Sequence, residues 1–247
     1  MRRTLDAVLS SFVWIAWTVL VILWTPPVLL LYLLTAWRDP ARRISGRAFH
    51  SAAAVATWMN PFWRLRVSGR VPPRETHPFV VVCNHESLAD PILVGSLPWE
   101  MKWLSKAANL RIPFVGWLMR LVGDEGVRRG DPESRAAAYA RLREWLRRGV
   151  SVIVFPEGTR SETDELLPFR NGAFRLAIET GTPVLPLAIS GTRDSIRKGS
   201  LVFRRSDISL VILDPIDVQG FGEEAVEELR ELARRRIDAA RRGGSAA

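Results

Sequence analysis

Two short segments hold the residues whose types and spacing could do chemistry. In the first, the apolar run Phe79-Val80-Val81-Val82-Cys83 leads straight into Asn84-His85-Glu86-Ser87-Leu88-Ala89-Asp90. A histidine exchanges protons near neutral pH, and a carboxylate five residues on can fold back across a turn to hold the imidazole in one tautomer. That pairing suits general-base work on a hydroxyl; the competing reading is a structural or capping histidine. In the second, the apolar run Val150 to Phe155 leads into Pro156-Glu157-Gly158-Thr159-Arg160-Ser161. Glycine lets backbone approach a ligand closely. An arginine beside a hydroxyl can bind phosphate oxygens. The alternative there is a charged turn with an internal Glu–Arg pair.

The elements that must position these segments follow from the apolar pattern. Phe79–Cys83, Val150–Phe155, Pro183–Ile189 and Ile208–Leu213 read as buried strands. Helical patterns alternate with them. Pro132–Arg148 has Asp131 as N-cap, proline at its first position and Gly149 after it. Asn171–Thr180 ends at Gly181 in the same way, and Glu223–Arg242 reads as a charged helix with a solvated face. Strands alternating with helices predict an α/β fold, a central, mostly buried sheet flanked by helices. Groups that act on ligands in such sheets sit beyond the carboxyl ends of strands, where both segments fall.

The N-terminus is of another kind. Residues Ala7 to Trp37 carry no charged side chain, which exceeds the roughly 20 residues one spanning helix needs. Pro26-Pro27 interrupts the run and predicts a break or sharp kink, because proline removes a backbone donor and clashes with the preceding turn. Arg2 and Arg3 precede the run, and Arg38, Arg42 and Arg43 follow it, a distribution that suits a hairpin entering and leaving on the cytoplasmic side; a single span is the alternative. Five tryptophans (Trp14, Trp17, Trp24, Trp37 and Trp58) fit either a membrane interface or core packing. An amphipathic helix follows from Phe49 to Met59, with His50 read as a surface or packing residue without a partner. The division expected is a membrane-associated helical segment over 1–62 and an α/β domain over 63–247.

Composition narrows the partners. The net charge of +9 favours phosphate-bearing ligands, but no zinc-finger, helix-turn-helix or RNA-recognition pattern accompanies it. The apolar N-terminus points to lipid instead of nucleic acid. Cys83 is the only cysteine, so no internal disulfide can form. It reads as a small buried hydrophobe, since adjacent strand positions face opposite ways and a Cys83–His85 dyad is poorly placed.

Asn84-His85 with Asp90, and later Phe155-Pro156-Glu157-Gly158-Thr159-Arg160, resemble the first and third motifs of the glycerolipid acyltransferases, a family that includes the bacterial 1-acylglycerol-3-phosphate acyltransferases. The separation of about seventy residues also fits. Gly123-Asp124-Glu125-Gly126-Val127-Arg128-Arg129 resembles the second motif, with Arg129 at the family arginine, although Gly126 stands where a bulky apolar residue is usual. Val184-Leu185-Pro186-Leu187 resembles the fourth, Phe169-Arg170-Asn171-Gly172 the basic segment after the third, and Lys102 and Lys106 add charge upstream of the second.

The resemblance implies a glycerol-3-phosphate acyltransferase-like fold with an N-terminal membrane-embedded helical hairpin. It implies transfer of a fatty acyl group from a thioester to the sn-2 hydroxyl of 1-acyl-sn-glycerol-3-phosphate, giving phosphatidic acid. His85 would be the base and Asp90 its orienting partner. Arg129, Glu157, Gly158, Thr159 and Arg160 would bind substrate, with Gly158 and nearby amides facing the oxyanion. No cofactor and no metal is expected; acyl-CoA or acyl-acyl carrier protein serves as donor substrate. The location implied is the cell membrane, with the catalytic domain on its cytoplasmic face. Acylation of another lysolipid, such as a lyso-ornithine lipid, or a non-catalytic lipid-binding role are the alternatives.

Overall fold

In the computed structural model, residues 2–73, 76, 78–197 and 199–243 are described, with the side chains of Arg2 and Arg3 outside that description. The chain begins with two helices, α1 (Arg2–Thr35) and α2 (Arg43–Trp58). There follow β1 (Trp63–Gly69), β2 (Val80–Cys83), α3 (Asp90–Gly95), β3 (Met101–Lys106), α4 (Val115–Val122), β4 (Glu125–Val127) and α5 (Pro132–Arg147). The last elements are β5 (Ser151–Val154), α6 (Gly172–Thr180), β6 (Val184–Ser190), β7 (Ser206–Ile212) and α7 (Val226–Gly243). One seven-stranded sheet runs in the order β1-β7-β6-β2-β5-β3-β4, parallel throughout except for the antiparallel pair β6–β7.

The period-2 alternation of the central strands sorts their side chains onto two cores. Val81, Cys83, Ile153, Leu185 and Leu187 face one side, where they meet Val13 and Trp17 of α1, Ala56 of α2 and Leu93 of α3. Val80, Val82, Val152, Val154 and Val184 face the other, covered by Leu142 of α5, Phe174 of α6 and Leu229, Ala233 and Ile237 of α7. The fold is therefore a sheet between two helical layers, and the four strands read from the sequence are its β2, β5, β6 and β7. The boundary expected between residues 62 and 63 falls at the start of β1. Helices from before that boundary nonetheless share a core with the sheet.

The break expected at Pro26-Pro27 does not occur. α1 runs through both prolines. A proline's fixed φ is compatible with a helix, so the chain continues despite two missing backbone donors and the ring's crowding of the preceding turn. Val28, only 1 % exposed, packs immediately afterwards against Leu118 and Val122 of α4. The hairpin forms instead across residues 36–42, between α1 and α2, where Asp39 Oδ2 accepts the Ile44 amide.

The tryptophan cluster divides. Trp14, Trp17 and Trp24 turn inward and donate their indole N–H groups to the carbonyls of Leu201, Ala56 and Ala48, at 2.7, 3.0 and 2.7 Å. Trp37 and Trp58 are 71 % and 85 % exposed. The outer face of α1 is apolar and open, with Leu5, Phe12, Ile15, Leu23, Leu30, Leu33 and Leu34 exposed. Thr4–Thr35 is long and apolar enough to cross a membrane, and an apolar surface of that extent marks a membrane-associating face.

Candidate active site

β2 and β5 are parallel neighbours, with Val80, Val81 and Val82 opposite Val152, Ile153 and Val154. The segments that follow them therefore emerge side by side at the carboxyl edge of the sheet. Asn84 fixes the start of the first. Its carboxamide accepts the Ile189 amide and donates to the Ile189 carbonyl, both at 2.8 Å, so a side chain continues the hydrogen bonding of β2 with β6.

Asp90 closes the loop. It opens α3 and is fully buried, and its Oδ2 accepts the Glu86 and Ser87 amides at 2.6 and 2.7 Å as well as facing His85 Nδ1 at 2.8 Å. The four intervening residues are what allow the carboxylate to reach back over two amides to the ring. An ionised Asp90 makes Nδ1 the protonated nitrogen and leaves Nε2 as the one able to take a proton. The ring stacks on Phe155, with centroids 4.4 Å apart, and keeps 18 % of its side chain exposed. A half-buried, oriented base with one nitrogen free of partners among the described residues is suited to removing a hydroxyl proton.

Glu157 joins the two segments. Its Oε1 accepts the His85 amide at 2.7 Å, its Oε2 accepts the Leu167 amide at 2.9 Å, and the residue is only 3 % exposed. The Ser161 amide returns a bond to the His85 carbonyl at 2.9 Å. Burial raises the Glu157 carboxyl above its ordinary value, against the pull of these two amides. Glu157, expected to touch substrate, here ties the His85 and Leu167 amides together through its two carboxylate oxygens.

Gly158 is favoured by its backbone conformation. Its φ is +69°, and a Cβ there would lie 2.8 Å from Arg170 Cζ. Its N–H already donates to the Phe155 carbonyl at 3.0 Å, so it is engaged in a turn and is not a free donor for an oxyanion. Thr159 and Arg160 are half-buried. Arg160 Nη1 is buried without a hydrogen-bond partner among the described residues, leaving a cationic donor for a ligand. Arg128 pairs with Asp131 at 2.8 Å, whereas Arg129 is exposed and makes no side-chain hydrogen bond or ion pair among the described residues. It follows β4, three strands from β2 and about 14 Å away at ordinary strand spacing, on the same edge.

The acyltransferase family profile matches residues 64–190, a stretch that contains both segments and Arg129. The chain belongs to the acyltransferase family. It is 36 % identical over 176 residues to the chloroplastic 1-acyl-sn-glycerol-3-phosphate acyltransferase BAT2 of Brassica napus, covering 69 % of this chain and 51 % of that one. It is 34 % identical over 197 residues to the lyso-ornithine lipid O-acyltransferase of Pseudomonas aeruginosa, covering 73 % and 72 %. The crystal structure of the 1-acyl-sn-glycerophosphate (LPA) acyltransferase PlsC from Thermotoga maritima superposes with a TM-score of 0.83 at 30 % identity, covering 100 % of this chain and 99 % of that one. The chain spans about half the length of the plant and algal relatives it matches.

Within this member of the acyltransferase family two charged residues lie away from the site. Lys102, which adds to the cationic charge in the sequence, is fully buried with Nζ 2.6 Å from Glu100 Oε1, and so is withheld from any substrate. His50, expected to have no partner, faces that same Glu100 at 3.2 Å and lies 3.9 Å from Asp124. Cys83 is fully buried, and burial, with the charges of Asp90, Glu157 and Glu86, pushes its thiol well above the usual range. It is a packing residue, inert as a nucleophile.

Proposed function

We propose that the protein transfers a fatty acyl group from an acyl thioester to the sn-2 hydroxyl of 1-acyl-sn-glycerol-3-phosphate, giving phosphatidic acid. The observation that carries this is the His85–Asp90 pair, 2.8 Å apart, with one ring nitrogen left open. His85 Nε2 takes the hydroxyl proton as the oxygen attacks the thioester carbonyl. Asp90 stabilises the imidazolium that forms, which then protonates the departing thiolate. The buried, raised thiol of Cys83 argues against an acyl-enzyme through that residue. Arg160 and Arg129 hold the phosphate, with Thr159 beside them. Acyl-CoA or acyl-acyl carrier protein supplies the acyl group, and no cofactor takes part.

The open apolar face of α1 supports a setting at the cell membrane, with the sheet on the cytoplasmic side. Because Val13, Trp17 and Val28 pack on the rest of the chain, the middle of α1 lies along the domain and its outer face enters the lipid.

Incubating the purified protein with acyl-CoA and lysophosphatidate should release free thiol and form phosphatidate in equal amounts. Thiol release without dependence on lysophosphatidate would refute the assignment. A lyso-ornithine lipid is the second acceptor to include, favoured by the likeness to the Pseudomonas protein. That lipid carries no phosphate, so the two readings separate on the arginines. With lysophosphatidate, Arg160→Ala is expected to raise KM for the acceptor about tenfold or more and leave KM for the thioester unchanged, as loss of a charge-assisted contact predicts. An unchanged acceptor KM would remove Arg160 from the phosphate site.

A further inference from the structure

The loop that carries His85 is also gripped from the far end of the chain. Arg241 lies in the last turn of α7 and is only 8 % exposed. Its Nη1 is 3.3 Å from Glu86 Oε1. Its Nη2 donates to the Asp164 carbonyl and lies 3.0 Å from Asp238 Oδ1. One guanidinium thus joins α7, the loop after β2 and the loop after β5. Arg193, in the turn after β6, approaches the same Glu86 oxygen at 3.6 Å and pairs with Asp164.

Glu86 sits where such a grip would be felt. Its amide donates to Asp90 Oδ2 at 2.6 Å, one of the two amides that seat the carboxylate facing His85. Its side chain is buried and turned away from the ring, toward the arginines and Asn84, whose Nδ2 lies 3.4 Å from Oε1. Burial and the neighbouring Asp90 charge push the Glu86 carboxyl up to about 7, against the pull of Arg193 and Arg241. Without a cation beside it, this side chain would be driven toward its neutral form and lose much of its hold.

We propose that Arg241 is a positioning residue for the reaction, acting through Glu86 to hold the backbone amides that seat Asp90 against His85. Arg241 makes no hydrogen bond or ion pair to His85 among the described residues; its partners are Glu86, Asp164 and Asp238. Helix α7 therefore does more than cover the sheet: its last turn sets the geometry of the loop after β2. This assignment rests on the acyltransferase reading for its kinetic consequence, but its structural consequence can be read without any substrate.

The test uses the full-length protein in detergent, with Arg241→Ala, Arg241→Lys and Arg242→Ala compared with wild type. Arg242 is the control, since its exposed guanidinium pairs with Asp238 and makes no hydrogen bond or ion pair to Glu86 or Asp164 among the described residues. Arg241→Ala is expected to lower kcat about tenfold, as a small misplacement of a base does, with both KM values within about twofold. Arg241→Lys should recover part of the loss, and Arg242→Ala should keep full activity. Hydrogen exchange should quicken in the peptide covering residues 84–90 in Arg241→Ala but not in peptides from β5 and β6. A kcat within twofold of wild type with residues 84–90 still protected overturns the proposal. So does exchange that rises equally across the sheet, because the loss would then be one of general stability. If wild type transfers no acyl group, the functional reading fails and exchange at residues 84–90 alone decides the role of Arg241. Should Arg241→Ala not fold, Glu86→Gln, which keeps the shape and removes the charge, is expected to show the same selective exchange and the same fall in kcat.

Discussion

His85→Ala is expected to lower kcat by at least a hundredfold, and as much as ten-thousandfold, the range that a positioned general base contributes. KM for both substrates should stay near wild type, because the ring acts on a proton in flight and supplies little ground-state binding. Asp90→Asn should fall in the same range for a different reason. An asparagine oxygen at the Oδ2 position can still accept the Glu86 and Ser87 amides and Nδ1–H, but it carries no charge to stabilise the imidazolium, and its NH2 falls at the buried Oδ1 position, which has no hydrogen-bond partner among the described residues. The fold of both variants should survive, which circular dichroism and gel filtration in detergent would establish. Thiol release by His85→Ala within threefold of wild type would end the proposal that His85 is the base. Because the two residues act as one unit, the double variant should lose little more than either alone.

What could be read from the sequence depended on how local the encoding was. His85 and Asp90 lie in one loop whose length itself dictates the geometry, so their spacing carried the arrangement. The buried strands were legible because β2, β5 and β6 bury both faces and read as continuous apolar runs. β3 was not, since Lys102 and the preceding Glu100 make it look polar; a buried ion pair is invisible until its two members are known to share a site. The part played by Glu157 was hidden because its partners are backbone amides, one of them 72 residues distant. Helix α7 was half legible. It reads as a charged helix with a solvated face, and its other face, Val226, Leu229, Ala233 and Ile237, is buried; nothing local marks Arg241 as the one arginine of the last turn that turns inward. The expected proline break failed for a related reason: long-range packing of Val28 on α4 overrode a local signal.

The second large effect is expected in stability, at the junction of α2 with β3. Glu100→Gln should destabilise the protein by roughly 3–5 kcal/mol, the usual penalty for breaking a buried ion pair from one side. Glu100 faces two cations, Lys102 at 2.6 Å and His50 at 3.2 Å, and Asp124 completes the group while accepting the Trp103 amide at 3.0 Å. Lys102 is fully buried, bonded otherwise to the Arg42 carbonyl at 3.3 Å and lying 5.2 Å from the Trp145 ring centroid. The fit is close: a Cβ on Gly46 of α2 would stand 2.0 Å from Glu100 Oε1. With two carboxylates and one lysine ammonium, the group is balanced only when His50 is charged. Burial by itself pulls the imidazole down, but Glu100, together with Asp124, overrides this and raises it to about 9. A rise from 6.5 to about 9 corresponds to about 3 kcal/mol of stability. That contribution is fully present below about pH 6.5, the value for an unfolded histidine, and is lost as pH climbs through about 9. Thermal unfolding in detergent between pH 6 and 10 should therefore show wild type losing stability on the alkaline side, while His50→Gln, which never carries the charge, starts lower and stays flatter. Parallel curves for the two proteins would show that His50 is not the titrating group. A Glu100→Gln protein melting within a degree or two of wild type would show that the carboxylate is not what balances Lys102.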